Sequence, residues 1–304
     1  MKITNCFYDG SHSGFGDFLR GSIHLFNYCK KNQVPFDINI SKHKISEYFE
    51  PIKGSEDEFE IYDLDKKAKK ITKKFKVSYF HILKKLIDKS INAKEKNKYI
   101  FSNFDEGFLD KGDIDYFNSI PNLSYNCARF FQNKLKFSKE INDSVYSELE
   151  KAGLKAGYYN IVHFRLGDTP SFFKEQSVKE ELRYNNLLKI ILRKYILTKK
   201  PVVVLSDSNQ FKNFLLKHKG STPIYIFHTN SSHMQKDPSG FGNNLKIDDS
   251  GIFYAVFDMK MATLAESIDS YSVYRHGSGF VYWISRIFGV PIKMHFLEER
   301  KINS

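Results

Sequence analysis

The second half of the chain alternates short apolar runs with helical periodicity, and that alternation restricts the fold more than any other feature. Tyr158 to Phe164 reads as a strand, followed by a polar turn and a helical pattern through Leu187, Ile190, Ile191 and Tyr195. Pro201 to Asp207 is a continuous apolar run that ends in Ser206 and Asp207. Gln210 to His218 then reads as a helix, Ile224 to Phe227 as a strand and Phe253 to Glu266 as a helix. Strands this uniformly apolar belong where both faces are buried, which points to a mainly parallel sheet covered by helices on each side. The chain opens in the same way. Ile3 to Tyr8 is a strand, Asp9 to Asp17 a glycine-containing turn, Phe18 to Lys31 a helical stretch with Leu19, Ile23 and Phe26 in register, and Val34 to Ile40 a second strand. Lys66 to Asn92 reads as helical and Lys98 to Phe104 as a strand.

A chain of 304 residues exceeds one average domain. Two domains are expected, 1–150 and 151–304, with a cleft between them. The N-terminal apolar run is broken at Asp9, too early for a signal peptide, and no stretch approaches the ~20 apolar residues of a membrane span. Cys6, Cys29 and Cys127 are odd in number and share no metal-type spacing, as expected of reduced structural thiols. These features together predict a cytoplasmic protein. The formal net charge is +12, concentrated between Lys66 and Lys98, where thirteen lysines face only Asp88 and Glu95. Such a segment is either a solvated helix face or a contact for an anionic membrane, a phosphorylated acceptor or nucleic acid. Arginine, the better reader of base edges, is absent from it, which weighs against nucleic acid.

In parallel sheets ligands bind beyond the carboxyl ends of the strands. Polar clusters fall at those positions: Gly14 to Asp17, His163 to Asp168, Ser206 with Asp207, and His276 to Phe280 ahead of the helical pattern Val281 to Ile287. Gly14-x-Gly16 precedes a helix start, where free N–H groups and the positive end of the dipole favour an anion; a tight strand-to-helix turn with Asp17 as N-cap is the alternative. The third glycine of a dinucleotide fingerprint is replaced by Leu19. On an alternating strand His163 and Arg165 share one side while Phe164 and Leu166 share the other. Arg165 there can bind a phosphate with two parallel charge-assisted bonds, or pair structurally with Asp168.

The segment His163-Phe-Arg165-Leu-Gly167-Asp168 resembles the H-x-R-x-G-D signature of the superfamily of α1,2-, α1,6- and protein O-fucosyltransferases. Gly14, Gly16 and Asp17 match its N-terminal G-x-G-[N/D] turn, Ser206-Asp207 its strand ending in Ser-Asp, and Asp258 with Ser278-Gly279-Phe280 its Asp and S-S-F-type segment. Gly279 replaces the second serine of that segment, and the interval from Asp258 to Ser278 is longer than usual. The resemblance implies an α/β fold of two Rossmann-like domains facing a cleft, called GT-B, with the donor held mostly by 151–304 and the acceptor by 1–150. It implies an inverting, metal-independent transfer of fucose from GDP-fucose to a glycan hydroxyl, with the GDP-sugar as substrate and no further cofactor. Gly14, Gly16, Asp17, His163, Arg165, Ser206, Asp207, Asp258, Ser278, Gly279 and Phe280 are the donor-binding residues it implies. Arg165 would stabilise the leaving diphosphate, and Glu175 stands where some relatives carry a carboxylate able to deprotonate the acceptor. The acceptor class includes lipid-linked glycans.

Other residues bear on alternative chemistries. Asp63-x-Asp65 and Asp113-x-Asp115 are D-x-D patterns of the metal-holding type, expected here to be surface turns. His228 and His233 lack a third zinc ligand nearby, and neither a G-x-x-x-x-G-K-[ST] loop nor a G-x-S-x-G elbow is present. A glycosyltransferase of the same fold with another nucleotide sugar, and a non-enzymatic protein binding anionic polymer or membrane, remain the alternatives.

Overall fold

Residues of the central strands of the second sheet pack alternately into two apolar clusters, so both faces of that sheet are covered. The structure is a computed structural model that describes residues 2–9, 14–51, 59–75, 79–92, 98–102, 122–167, 177–229, 249–275 and 277–298. The first sheet is built from β1 (Ile3–Tyr8), β2 (Phe36–Lys42), β3 (Tyr62–Asp63) and β4 (Lys98–Phe101), in the order β2-β1-β4-β3. α1 (Phe15–Lys31) joins β1 to β2, and α2 (Leu64–Phe75) and α3 (Tyr79–Asn92) stand between β3 and β4. The second sheet contains β5 (Asn160–Arg165), β6 (Val202–Ser206), β7 (Ile224–Tyr225), β8 (Ser267–Ser272) and β9 (Ile292–Phe296), in the order β7-β6-β5-β8-β9. The pairings within both sheets are parallel.

Between the sheets run α4 (Tyr125–Lys134) and α5 (Lys139–Lys151), and around the second sheet α6 (Ser177–Thr198), α7 (Asn209–His218), α8 (Asp249–Thr263) and α9 (Gly279–Phe288). Ile161, Val203 and Leu205 point into one cluster; Val162, Phe164, Val202 and Val204 point into the other with Leu187, Ile191 and Phe211. That period-2 split is what continuous apolar strands produce when helices cover both sides. The first cluster also takes Phe7, Phe15 and Phe18 from the N-terminal part and Val256, Trp283 and Ile284 from the C-terminal part, so both sheets border one apolar body. α1 packs on α9, α4 on α9, and α5 on α8. Each large side chain buried there stabilises the fold by about 1.5–3 kcal/mol before entropy is counted.

The parallel α/β reading is confirmed, with several differences of detail. The helical stretch 66–92 is two helices. The strand expected to reach Phe104 ends at Phe101, and the one expected over 224–227 ends at Tyr225. β8 was not anticipated, because Ser-Ile-Asp-Ser-Tyr-Ser carries little apolar surface. It nonetheless lies beside the central strand, with Ser270 and Ser272 fully buried and Asp269 paired with Lys194 at 2.6 Å and His295 at 3.1 Å. The three cysteines are free and buried, as the structural reading predicts; burial pushes the Cys29 and Cys127 thiols up to about 12, making them poor nucleophiles.

Candidate active site

The second sheet reverses direction at its centre: β5 leads outward to β6 and β7, while β8 and β9 extend on the other side. The crevice outside the carboxyl ends of β5 and β8 is therefore the switch point, where ligands of such sheets bind. Arg165 closes β5 and pairs in register with Ser272, the last residue of β8. Asp207 and Tyr274 are among the groups that hold its guanidinium. The Asp207 carboxylate, just beyond β6, forms an ion pair with it, and the guanidinium carbon lies 5.7 Å from the centre of the Tyr274 ring.

Asp207 also fixes the backbone that follows Arg165. Its Oδ1 accepts from Leu166 N at 2.8 Å and its Oδ2 from Gly167 N at 3.0 Å. Gly167 turns with φ +75°, and an added Cβ would lie 2.0 Å from the Tyr274 hydroxyl; a side chain here is strained by its conformation and has to displace the Tyr274 ring. Ser206 Oγ accepts from Ser208 N at 3.1 Å, and Ser208 Oγ caps α7 by accepting from Phe211 N at 3.2 Å. The Ser206-Asp207 pair thus builds the turn that positions Arg165.

His163 and Arg165 lie on the side of β5 opposite Phe164, which with Leu166 enters the second cluster. The His163 ring is buried, and its Nδ1 shares a 2.9 Å hydrogen bond with Ser270 Oγ of β8. Burial lowers its pKa to about 4, with Arg165 adding to the shift while Asp207 and Asp258 oppose it. The ring is neutral near pH 7 and braces the two strands at the switch point.

Two helix N-termini meet at this edge. A Cβ on Gly16 would lie 2.5 Å from Phe280 N and 2.6 Å from the Gly279 carbonyl carbon, so the first turn of α1 rests directly on that of α9. The glycine serves close backbone approach. Gly14 is the N-cap of α1, without a side-chain cap bond. Asp17, expected as the cap, instead lies in the first turn and pairs with Arg20 at 3.2 Å. Ser278 is the N-cap of α9 and makes no side-chain cap bond. Phe280 packs against the shared apolar cluster. The N-termini of α1 and α9 thus converge, and α9 follows β8, whose last residue Ser272 is in register with Arg165; helix N-termini of this kind suit an anion such as a diphosphate.

Asp258 is buried on α8 and takes a 2.7 Å contact from His228 Nε2, just beyond β7. The His228 ring stacks on Tyr254 at 4.4 Å, and its Nδ1 lies 3.5 Å from the buried Lys212 ammonium of α7. Burial lowers the Lys212 pKa, while the Asp258 and Asp207 charges hold it up. Nothing in the sequence singles out Lys212 or Tyr274, and His228 reads there only as a candidate zinc ligand. Nothing local marks Lys212 among the many lysines; its burial is tertiary.

The D-x-D at Asp63 and Asp65 is not an exposed turn. Asp63 accepts from the Tyr8 hydroxyl at 2.7 Å and from Lys66 N at 2.7 Å, starting α2, and Asp65 is buried. No group of three or more metal-ligating side chains occurs among the described residues. Glu175, Asp168, His233, His276, Asp113 and Asp115 lie outside the described residues.

No protein-family model matches the chain, and no curated protein matches it in sequence. Solved structures match in fold. NodZ α-1,6-fucosyltransferase soaked with GDP-fucose is similar over 95% of this chain and 93% of its own, at 12% identity and a TM-score of 0.52. Fucosyltransferase NodZ from Bradyrhizobium is similar over 93% and 91%, at 12% identity and 0.51. A mutant of Arabidopsis thaliana FUT1 in complex with GDP is similar over 98% and 72%, at 13% identity and 0.53. The fold of this chain is that of these proteins, the GT-B arrangement of two parallel-sheet units.

Proposed function

We propose that the protein is an inverting, metal-independent glycosyltransferase that moves fucose from GDP-fucose to a glycan hydroxyl. The observation that carries this reading is the placement of Arg165 at the switch point, where Asp207 and Tyr274 hold it at the carboxyl end of β5. The neighbours in fold, described with GDP or GDP-fucose, support the donor class.

In this reading 151–304 is the donor domain and 1–150 the acceptor domain. Arg165, the Ser278 hydroxyl and the N–H groups at the start of α9 stabilise negative charge on the β-phosphate as the bond from sugar C1 to the phosphate oxygen breaks. A carboxylate, which we assign to Glu175, takes the proton of the acceptor hydroxyl as its oxygen bonds to C1 from the opposite face, and GDP leaves. Asp63 is committed to Tyr8 and the start of α2, which supports reading that D-x-D as structural.

A panel of nucleotide sugars, scored for hydrolysis with and without EDTA, tests the assignment. GDP should raise the melting temperature, by roughly 2.7 kcal/mol of added stability at 100 times its Kd, and UDP should not. Stabilisation by UDP alone would move the reading to another nucleotide sugar on the same fold. Loss of activity in EDTA that Mn²⁺ restores would overturn metal independence.

A further inference from the structure

The first sheet carries a charged face that the transfer reaction does not use. On α2, Lys66, Lys67, Lys69, Lys70, Lys73 and Lys74 are all exposed, while Leu64 and Ala68 are buried against the sheet. At ~100° per residue these six lysines fall within an arc of roughly 160°, opposite the apolar stripe. α3, packed on α2, adds the exposed Lys84, Lys85 and Lys89. Of the acids on the two helices, Asp65 is buried and Asp88 accepts from the Tyr28 hydroxyl. Among the described residues of α2 and α3 the acidic side chains are Asp65 and Asp88, and neither is exposed.

The face begins at the edge that bears the candidate site. Asp63, which starts α2, is bonded to Tyr8 at the carboxyl end of β1, and α1, the next helix along the chain, contacts α9 through Gly16. Tyr62, immediately ahead of α2, is 57% exposed, presenting an amphipathic ring of the kind that settles at headgroup depth. The cations are lysines without arginine, point charges suited to a diffuse layer of phosphates and poor at reading base edges.

We propose that α2 and α3 form a basic docking face that seats the protein on an anionic lipid bilayer, with the open edge of the cleft turned toward a membrane-borne acceptor. The acceptor clause rests on the transferase reading; the docking clause does not.

The test is co-sedimentation of the full chain with vesicles of phosphatidylcholine containing about 30% phosphatidylglycerol, and with phosphatidylcholine alone, at about 0.1 M and 0.5 M salt. The wild type should bind only the anionic vesicles and release them at high salt. The combined variant Lys66→Glu, Lys70→Glu, Lys73→Glu should bind more than tenfold more weakly. A Lys→Gln version of the same three positions covers the case in which the glutamates disturb folding. Absence of binding to anionic vesicles at low salt, or binding by a folded variant equal to that of the wild type, overturns the proposal. So does tighter binding of duplex DNA than of anionic vesicles in the same buffer. The melting shift with GDP, measured on the same samples, separates the two readings. A GDP shift without vesicle binding defeats the docking face alone, and vesicle binding without a GDP shift defeats the transferase reading alone.

Discussion

Asp207 holds Arg165 by its guanidinium while the same carboxylate accepts the Leu166 and Gly167 N–H groups, so one side chain sets both the direction of the arginine and the turn that follows it. Removing it as Asp207→Ala leaves those donors without their acceptor and should cost about 2 kcal/mol in urea unfolding. Asp207→Asn retains an acceptor oxygen but not the charge. It should lose part of that stability, since its Nδ2 cannot accept from the second backbone N–H, while turnover falls roughly tenfold or more because Arg165 is no longer held in its productive direction. A folded Asp207→Asn protein with unchanged turnover would show that Arg165 is oriented without this carboxylate.

The contact of α1 with α9 makes an asymmetric demand on its two glycines. A methyl group on Gly16 meets backbone atoms at 2.5 and 2.6 Å, which cannot rotate away. A methyl group on Gly279 meets its nearest neighbours at 3.7–3.8 Å, ordinary contact distances. Gly16→Ala should therefore destabilise the fold by about 1–3 kcal/mol and weaken GDP binding by separating the helix starts. Gly279→Ser should be tolerated, so the departure from an S-S-F-type segment imposes no steric penalty. Melting temperatures and GDP titrations of the two variants check this, and equal effects would refute the asymmetry.

How far the sequence reveals this site depends on whether the cause is local. β5 and β6 are legible because continuous valine, isoleucine and leucine runs have few other solutions, and His163 and Arg165 follow from period-2 alternation on β5. β8 is not legible, since the small buried serines that admit His163 beside it look like a polar loop. Gly14-x-Gly16 is visible as a motif, but its partner Phe280 is contributed by a helix far along the chain. The Lys212–His228–Asp258 cluster joins α7, the end of β7 and α8, and no spacing in the sequence announces it. The pairing of Asp207 with Arg165 has the same origin: β6 lies beside β5 only once the sheet forms.

His163 gives the fold an acid limit. Its folded pKa is held to about 4, chiefly by burial, against about 6.5 in an unfolded chain. Between these values the unfolded chain binds a proton that the native state refuses. The contribution is thus fully present above about pH 6.5 and declines as the pH falls toward 4, by up to roughly 1.4 kcal/mol per unit. His43, also buried and lowered, adds a loss of the same sign. Urea midpoints at pH 7 and pH 5 should fall for the wild type and fall less for His163→Gln, which lacks the titrating ring. An identical pH dependence in both proteins would remove His163 as a cause.

Arg165→Lys tests the central role most directly. The substitution keeps a positive charge within reach of Asp207 but removes the planar fork that engages two phosphate oxygens at once. It also removes the guanidinium plane that now lies over the Tyr274 ring. Since Asp207 keeps its bonds to Leu166 N and Gly167 N, the turn beyond β5 should persist and the melting temperature should change little. Charge on the β-phosphate grows as the bond to the sugar breaks, so the loss should fall more on the transition state than on bound donor. Turnover should drop by roughly 10²–10³-fold, with a smaller loss in GDP affinity. If Arg165 were only a structural partner of Asp207, the pattern would reverse: lower thermal stability, with near-normal turnover in the protein that stays folded. Turnover, GDP affinity and melting temperature measured on the one variant therefore decide the matter. A folded enzyme within about threefold of wild-type turnover, a barrier change of only ~0.6 kcal/mol, would exclude Arg165 as the stabiliser of the leaving group.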